Sequence, residues 1–349
     1  MSDFLLADGF GNLSDGTHTA GATREILGEQ WTGFSQSFVI VDRSDGRKWL
    51  TVASAARPQL QSGVLGDPST FSICFRIYRG SATAHCLVKL MNAAGVIGWI
   101  TIDNAGTMGY NIGSAGSPTD TTTITATTTI PLATEMFVEM RFVLGDAAAG
   151  SVAFYINGTL SNTRAGIDTC YGAGRTSLRS IIVGEAAANA YGLQSGWKYG
   201  DIIMHTAAAG IGDVGVFYRP MDADGASSDF TPSAGANFEC ADEIGPDEDT
   251  TYNESDGTAG HRDSFETAGV SAMSVLSVGV IVRARKTAAG AGTLLLGAIH
   301  GASEDQSSAK AMTSAYLTHV EFFDTCPSTA AAWSAAEVTA AELSYEVGA

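Results

Sequence analysis

Acidic residues are concentrated between positions 242 and 266, where the chain reads DEIGPDEDTTYNESDGTAGHRDSFE. Carboxylates at two-residue spacing are typical of calcium loops, and the EF-hand form requires D-x-[DN]-x-[DN]-G. Asp247 and Asp249 match its first two ligands, but Thr251 and Tyr252 stand where the third ligand and the glycine belong. The stretch is therefore not an EF-hand, and a looser calcium site is the hypothesis that it leaves.

Two shorter segments carry the same residue types, DRSDG at 42–46 and DADG at 222–225. Together with the acidic stretch they define the candidate metal ligands, which are Asp222, Asp224, Asp247 and Asp249. The alternative is that Asp, Asn and Gly mark turns, and that the exposed carboxylates keep the surface soluble. Apart from calcium, no cofactor is predicted.

Motifs of the common enzyme classes are absent or stand in the wrong context. A G-x-G-x-x-G match at Gly210, Gly212 and Gly215 leads into the strand-like VFYRP, whereas a dinucleotide site needs a helix after the glycines. The sequence contains no H-E-x-x-H, no G-x-S-x-G and no Walker lysine. Glu135 and Glu139 lie along one strand without forming the carboxylate pattern of a glycosidase. We therefore predict that the protein is not an enzyme.

Aromatic residues in two polar segments could bind a sugar, because sugar sites combine aromatic platforms with a few polar anchors. The segments YGAGRTS (171–177) and AYGLQSGW (190–197) look like loops. The candidate glycan-binding residues are Tyr171, Arg175, Tyr191 and Trp197. Aromatic residues at such positions also commonly belong to a core, so both interpretations stay open.

The composition restricts the range of partners. The chain has 37 acidic and 19 basic residues, a formal net charge of −18. Phosphate backbones and anionic membranes are bound by Lys and Arg, so we predict no nucleic-acid partner. No run approaches the ~18 apolar residues of a membrane helix, so no membrane insertion is predicted. The start, MSDFLLADGF, lacks the basic and apolar regions of a signal peptide.

The five cysteines are scattered and include no C-x-x-C pair, so neither a zinc site nor a redox dithiol is predicted. Cys74 and Cys86 flank the sequence RGSA and could face each other across a hairpin, where they could form a disulfide. Buried free thiols are the alternative that we favour.

Strand signals dominate the rest of the chain. Hairpins are predicted around Asn104–Gly106, between 136–144 and 151–157, and at Asn157-Gly158, where both residues tolerate positive φ. The threonine run TDTTTITATTTIP (119–131) predicts an edge strand or an extended loop. Helices are expected only at TREILGEQW (23–31) and SAAEVTAAEL (334–343), the second with a capping box.

Strands of this length, separated by turns, favour two packed sheets over a β-α-β layout. We therefore predict an all-β protein of two β-sandwich, jelly-roll-like domains with a short C-terminal helix. The polar segment after residue 218 suggests the boundary, which gives domains at 1–218 and 219–349.

Two groups of segments resemble known families. MFVEMRFVLGDAAAGSVAFYINGTL (136–160) resembles the meander of concanavalin-like and laminin-G (LamG) sandwiches. The order and spacing of a second group resemble virion proteins of tailed bacteriophages: YGDIIMH, GIGDVGVFYRPMDADG, DFTPSAG, DEIGPDEDTTY, IVRARKTAAG and CPSTAAAWSAAEV. In that family the acidic stretch resembles the start of a second β domain and not a catalytic motif.

The resemblance implies a non-enzymatic virion structural protein, either a tail or spike component or a capsid-surface decoration protein. Its expected partners are other capsid or tail proteins and further copies of itself, with a trimer favoured among homo-oligomers. It would be located in the virion after assembly in the host cytoplasm. The alternative is a glycan-binding module that recognises carbohydrate on the host surface.

Overall fold

The computed structural model describes residues 3–8, 16–18, 31–34, 38–43, 47–51, 60–112, 122–184, 196–244, 246–271, 273–289 and 292–348. Within these ranges, none of the helices is long and apolar enough to span a membrane. Most of the predicted helix at 23–31 lies outside them, and its last residue, Trp31, begins a strand.

The strands before residue 206 form two large sheets. In chain order they are β1 Phe4–Asp8, β2 Gly16–His18, β3 Trp31–Phe34, β4 Phe38–Asp42, β5 Lys48–Thr51, β6 Leu60–Ser62, β7 Thr70–Tyr78, β8 His85–Asn92, β9 Gly95–Ile102, β10 Thr107–Asn111, β11 Thr122–Thr129, β12 Glu135–Val143, β13 Gly150–Ile156, β14 Thr159–Ile167, β15 Ser180–Val183 and β16 Lys198–His205.

One sheet has nine strands in the order β14-β13-β12-β7-β16-β5-β4-β2, with β1 also paired to β16. The other has seven strands in the order β11-β10-β9-β8-β15-β6-β3. One large apolar cluster takes buried side chains from both sheets, as expected when two inner faces pack together. This is a β-sandwich.

The two faces of β7 differ because side chains alternate along a strand. Phe71, Ile73 and Phe75 belong to the apolar cluster between the sheets. Cys74 and Arg76 alternate with them and are also buried. The outer face of the nine-stranded sheet is therefore covered as well, although it carries polar groups.

The strands after residue 220 form further sheets with a second, smaller apolar cluster. They are β17 Met221–Ser228, β18 Thr231–Pro232, β19 Asn253–Glu254, β20 Arg262–Thr267, β21 Val278–Ala284, β22 Thr293–His300, β23 Ser303–Gln306, β24 Lys310–Ala311, β25 Leu317–Phe323 and β26 Glu342–Val347. A 3-10 turn spans Phe238–Cys240, and helix α1 spans Ala335–Thr339.

In this part a six-stranded sheet has the order β17-β20-β26-β22-β23, with β24 also paired to β22. β18 pairs with β19, and β21 pairs with β25 in a two-stranded ribbon. Among the described residues, no strand before 206 pairs with a strand after 220. The division into domains at 218 stays a prediction, since the two parts are also in contact through the Phe4 and Phe322 rings, 6.2 Å apart.

The predicted all-β class is confirmed, and so are the local predictions made from turns and caps. β9 pairs with β10, and β12 pairs with β13. Asn157 and Gly158 have φ of 48° and 74° between β13 and β14. The threonine run forms β11, an edge strand. Ser334 and Glu337 form the capping box of α1.

The hairpin suggested around RGSA is wrong. β7 and β8 lie in different sheets, because β12 and β16 occupy both edges of β7 and leave none for β8. Cys74 and Cys86 are buried free thiols and form no disulfide. The segment after Gly212, expected to be a strand, has no regular structure and crosses the outer sheet face instead.

Candidate functional site

Residues 206–217, which we call the strap, cover the outer face of the nine-stranded sheet after β16 ends. The strap contributes Ile211, Val214 and Val216 to a small apolar cluster with Cys74, Phe137 and Ile203 of the sheet, and with Phe4 and Ala7 of β1. Arg141 on β12 donates a hydrogen bond to the carbonyl of Ala208. Apolar contacts and polar anchors together hold the strap on the sheet.

A buried carboxylate, Asp201, is the centre of what we call the arginine network. Its Oδ2 accepts hydrogen bonds from Arg47 Nη1 at 2.6 Å, Arg76 Nε at 2.9 Å and Arg43 Nη1 at 3.3 Å. Its Oδ1 accepts from the backbone N–H of Val216 in the strap at 3.0 Å. One carboxylate thus connects three arginines and the strap.

A β-bulge in β16 places Asp201 there. Tyr199 and Ile202 both belong to the core although they are three residues apart, and the pairing with β7 shifts between Gly200 and Ile203. Asp201 occupies the extra position with φ of 48°. Bulges of this kind redirect a side chain, and here the bulge directs a carboxylate toward the arginines.

Glu135 and Asp213 complete the arginine network. Glu135 Oε1 lies 2.7 Å from Arg43 Nη2 and 3.3 Å from Arg76 Nη1, and Asp213 of the strap is hydrogen-bonded to Arg76. Burial alone would lower the pKa of Arg76, but the hydrogen bonds to Asp213 and Asp201 raise it. Three arginines and three carboxylates balance in charge, with Asp201 fully buried and Glu135 and Asp213 partly exposed.

Beside this network, three groups able to bind a metal converge on the same face. Cys74 on β7 is the direct cross-strand partner of Glu139 on β12, and His205 comes from β16 on the other side of β7. One ligand atom from each lies within 4.8 Å of the others, and all three residues are buried. We call these three residues the Cys-Glu-His cluster.

Phe4 and the strap cover the Cys-Glu-His cluster, and Arg141 on β12 is the nearby positive charge that acts on Cys74. The Phe4 ring lies 6.1 Å from the His205 ring. Gly210 of the strap lies against Glu139, where a Cβ would stand 3.1 Å from both carboxylate oxygens. Burial, and then the negative charge of Glu139, raise the pKa of the Cys74 thiol well above its ordinary value.

A second candidate site is a cleft of about 1010 Å³ in the part of the chain after residue 217. Its walls come from the ribbon of β21 and β25, from β26 and from the acidic stretch, with Val282, Met312, Tyr316, Tyr345 and Tyr252 among the lining residues. The lining thus combines aliphatic, aromatic and charged groups.

Arginines of the ribbon bind the acidic stretch. Arg283 forms an ion pair with Glu248, and Arg285 Nη2 lies 2.6 Å from Asp249 Oδ1. Tyr316 donates a second hydrogen bond to the same Asp249 oxygen at 2.8 Å. The Asp247 carboxylate accepts a hydrogen bond from the backbone N–H of Thr251 at 3.1 Å, within the acidic stretch itself.

The four candidate calcium ligands therefore have different settings. Asp247 and Asp249 have the protein partners just described, and Asp224 accepts a 2.7 Å hydrogen bond from the N–H of Phe238. Asp222 is exposed on β17. Among the described residues, the only three-residue group with metal-ligand geometry is the Cys-Glu-His cluster. Calcium binding at the aspartates stays a prediction.

The candidate glycan residues differ in their exposure to solvent. Tyr171 is exposed, and the Arg175 guanidinium lies 5.6 Å from the centre of its ring. Trp197 is wrong as a platform, because its side chain is fully buried in the core and donates a hydrogen bond to Ser81 Oγ at 2.7 Å. Tyr191 lies outside the described residues.

Sequence reasoning missed the Cys-Glu-His cluster because its members are 65 and 66 residues apart along the chain. A local signal did exist in MFVEMRFV, where Glu139 is the one acidic residue among apolar neighbours in the buried middle of β12.

The G-x-G-x-x-G match has a structural explanation and does not mark a nucleotide site. Gly210 lets the strap approach Glu139.

Comparison with known proteins identifies no family. No protein-family model matches the sequence, and no curated protein does. Among solved structures, an alginate lyase from Chlorella virus is similar at 7% identity and a TM-score of 0.40, over 54% of this chain and 99% of that one. An endo-β-1,4-glucuronan lyase from Trichoderma reesei is similar at 12% identity and a TM-score of 0.35, over 51% and 84%.

A SAP-like pentraxin from Limulus polyphemus is similar at 13% identity and a TM-score of 0.30, over 44% of this chain and 70% of that one. Likenesses at these identities and TM-scores carry no argument about activity or ligand.

Proposed function

We propose that this chain is a non-enzymatic structural protein of a tailed-bacteriophage virion, either a tail or spike component or a capsid-surface decoration protein. It acts through contacts with other virion proteins and with further copies of itself, as a homo-oligomer for which a trimer is favoured. The sequence resemblance described above supports this proposal, and the observation that carries it is the cleft beside the ribbon.

The cleft suits a polypeptide segment from a neighbouring subunit. Among the described residues, β21 and β25 pair only with each other, so each has an outer edge that could accept a further strand. Exposed Tyr252 and the lining side chains Val282 and Met312 provide apolar surface beside those edges. Main-chain pairing and apolar burial are the two contributions that hold an added strand.

Charge pairing at the cleft favours association between acidic chains. Copies with a net charge of −18 repel one another, so a contact between them requires a locally neutral surface. The cleft reduces this repulsion, because Arg283 neutralises Glu248 and Arg285 neutralises Asp249. We therefore expect subunits to associate at the cleft and not at the unpaired acidic surface.

A reconstruction of the intact particle tests the proposal directly. We expect density for this chain on the capsid surface or on the tail, with a segment of a neighbouring subunit in the cleft. Purified particles that lack this chain altogether, as judged by mass spectrometry of the virion proteins, would refute the proposal.

Two matched variants test the cleft in particular. Tyr252→Asp places a charge on an exposed apolar residue of the cleft, and Leu160→Asp does the same on β14, outside its lining. Each variant is supplied in trans to phage that lack the natural copy. We expect Tyr252→Asp to lower incorporation into virions by at least about tenfold, because burying an unpaired charge costs several kcal/mol. Equal incorporation of both variants would show that the cleft is not a contact with neighbouring subunits in the virion.

Glycan binding is the second candidate function, and the exposed Tyr171 ring beside Arg175 is the observation that favours it. A glycan array probed with the whole protein, with and without a chelator, tests this function and any need for calcium. We expect Tyr171→Ala to abolish a genuine signal and Tyr252→Ala to leave it unchanged. A signal that survives Tyr171→Ala would place the sugar elsewhere.

A further inference from the structure

We propose that Cys74, Glu139 and His205 form a zinc site beneath the strap. This inference does not depend on the virion assignment, because it rests on the contacts of three buried side chains. Nothing in the sequence motifs predicted it, since the usual zinc signal of closely spaced cysteines is absent.

The first support is that three possible zinc ligands converge on one point of the sheet face. The three residues come from three adjacent strands, β7, β12 and β16, and one ligand atom from each lies within 4.8 Å of the others. In tetrahedral zinc sites, metal–ligand distances of about 2.0–2.3 Å separate the ligand atoms by about 3.3–3.6 Å. Side-chain movements of about 1 Å therefore bring the three atoms into zinc geometry.

The second support is a set of buried polar atoms without partners. Glu139 Oε1 and both ring nitrogens of His205 are buried and have no hydrogen-bond partner among the described residues. His205 Nε2 lies 3.6 Å from Glu139 Oε1, which is too long for a hydrogen bond. Buried polar groups are almost always satisfied, and a shared metal ion would satisfy the carboxylate and one imidazole nitrogen at once.

The donor set indicates zinc. A thiolate, an imidazole and a carboxylate are the three ligand types that Zn²⁺ accepts, whereas calcium and magnesium prefer oxygen ligands alone. When zinc binds, the Cys74 thiol releases its proton to solvent, and the thiolate and the Glu139 carboxylate together neutralise the two charges of the ion. The ion and its two anionic ligands therefore carry no net charge, which suits a buried position.

The closed cover indicates a structural role for the metal. Phe4 on β1 and Val214 and Val216 on the strap pack against this part of the sheet face. Gly210 allows the strap backbone to lie against Glu139. Three protein ligands differ from the four of most structural zinc sites, so a water molecule would complete the tetrahedron. Because strands and strap come together only on folding, zinc binding adds to the stability of the folded state.

The test uses the full chain without a histidine tag, refolded with and without zinc and then freed of unbound metal by gel filtration. We expect about one zinc per chain by elemental analysis and a higher Tm for the zinc-loaded protein. Cobalt loading is expected to give a thiolate-to-cobalt charge-transfer band and the strong visible bands of tetrahedral cobalt. Wild-type protein that retains less than about 0.1 zinc per chain would overturn the proposal.

Substitutions locate the ligands. We expect Cys74→Ser and His205→Gln to lower zinc affinity by at least about tenfold, and Cys86→Ser, which changes another buried thiol, to leave it unchanged. If Cys74→Ser does not fold, the cobalt spectrum of the wild-type protein still decides the question, because a thiolate-to-cobalt band requires a cysteine ligand and Cys74 is the one cysteine of the cluster. Full binding by Cys74→Ser, or a cobalt spectrum without the thiolate band, would overturn the proposal.

Discussion

Replacing Asp201 by asparagine should destabilise the protein more than any single charge substitution on its surface. Asparagine keeps the size of the side chain and tolerates the positive φ of 48° at this position. The substitution therefore removes the charge without straining the bulge. What remains are Arg43, Arg47 and Arg76 around a neutral amide, facing only two other carboxylates.

The contacts of Asp201 give the size of the effect. Its Oδ2 accepts from all three arginines and its Oδ1 from the N–H of Val216. In asparagine one of these positions becomes an NH₂ donor, so either the arginines or Val216 face a donor instead of an acceptor. Breaking a buried charge pair on one side costs about 3–5 kcal/mol. With a urea m-value of about 3 kcal/mol/M, the unfolding midpoint falls by about 1–1.7 M.

Urea unfolding followed by circular dichroism measures this effect, and Asp67→Asn is the matched control. Asp67 pairs with Arg179 at 3.3 Å, but both side chains are more than 40% exposed, so its removal should cost about 0–1 kcal/mol. High salt should abolish the effect of the control and leave most of the effect of Asp201→Asn, because buried charges are screened less. If Asp201→Asn lowers the free energy of unfolding by less than about 1 kcal/mol, the central role of this carboxylate is refuted.

Three further predictions concern other parts of the fold. Ser334→Ala should lower the unfolding free energy measured in urea by about 1 kcal/mol because it removes the capping box, whereas Glu337→Gln, which keeps the motif, should lower it less. Burial, followed by nearby Cys170 and Asp168, raises the pKa of Tyr110, so its contribution to stability is complete below the unfolded pKa of about 10 and is lost as the pH rises above it. Tyr110→Phe should make the measured fall in unfolding free energy above pH ~10 less steep, and an unchanged slope would contradict this. Arg283→Gln should release the acidic stretch from the ribbon and speed limited proteolysis there, whereas an unchanged cleavage rate would show that other contacts hold it.

Features fixed by neighbouring residues were predictable from the sequence. The turn at Asn157-Gly158 depends on two residues that accept positive φ, and the cap of α1 depends on two residues three positions apart. The edge strand β11 was predictable from its alternating β-branched residues and its closing Pro131. In each case the pattern and the contact that it makes lie within one short segment.

Features that depend on distant pairing were not predictable. β7 and β8 follow each other closely, but the strands on both sides of β7 come from much later in the chain, so the local pattern suggested a false hairpin. Trp197 follows a glycine and looks like a loop residue, yet it fills the core. The Cys-Glu-His cluster and the arginine network form only when β7, β12 and β16 become neighbours.

The strap also determines how the molecule would respond to mechanical force. It is the covalent link between the sandwich and the strands that follow, so a pull on the later part of the chain reaches the sandwich through residues 206–217. Tension would first load the hydrogen bonds of Val216 with Asp201, of Arg76 with Asp213, and of Arg141 with Ala208. These anchors lie along the strap on three different strands, and a load along the strap would shear them together instead of breaking them one by one. Loading all three anchors at once would make the link between the two parts of the chain resistant to being pulled apart.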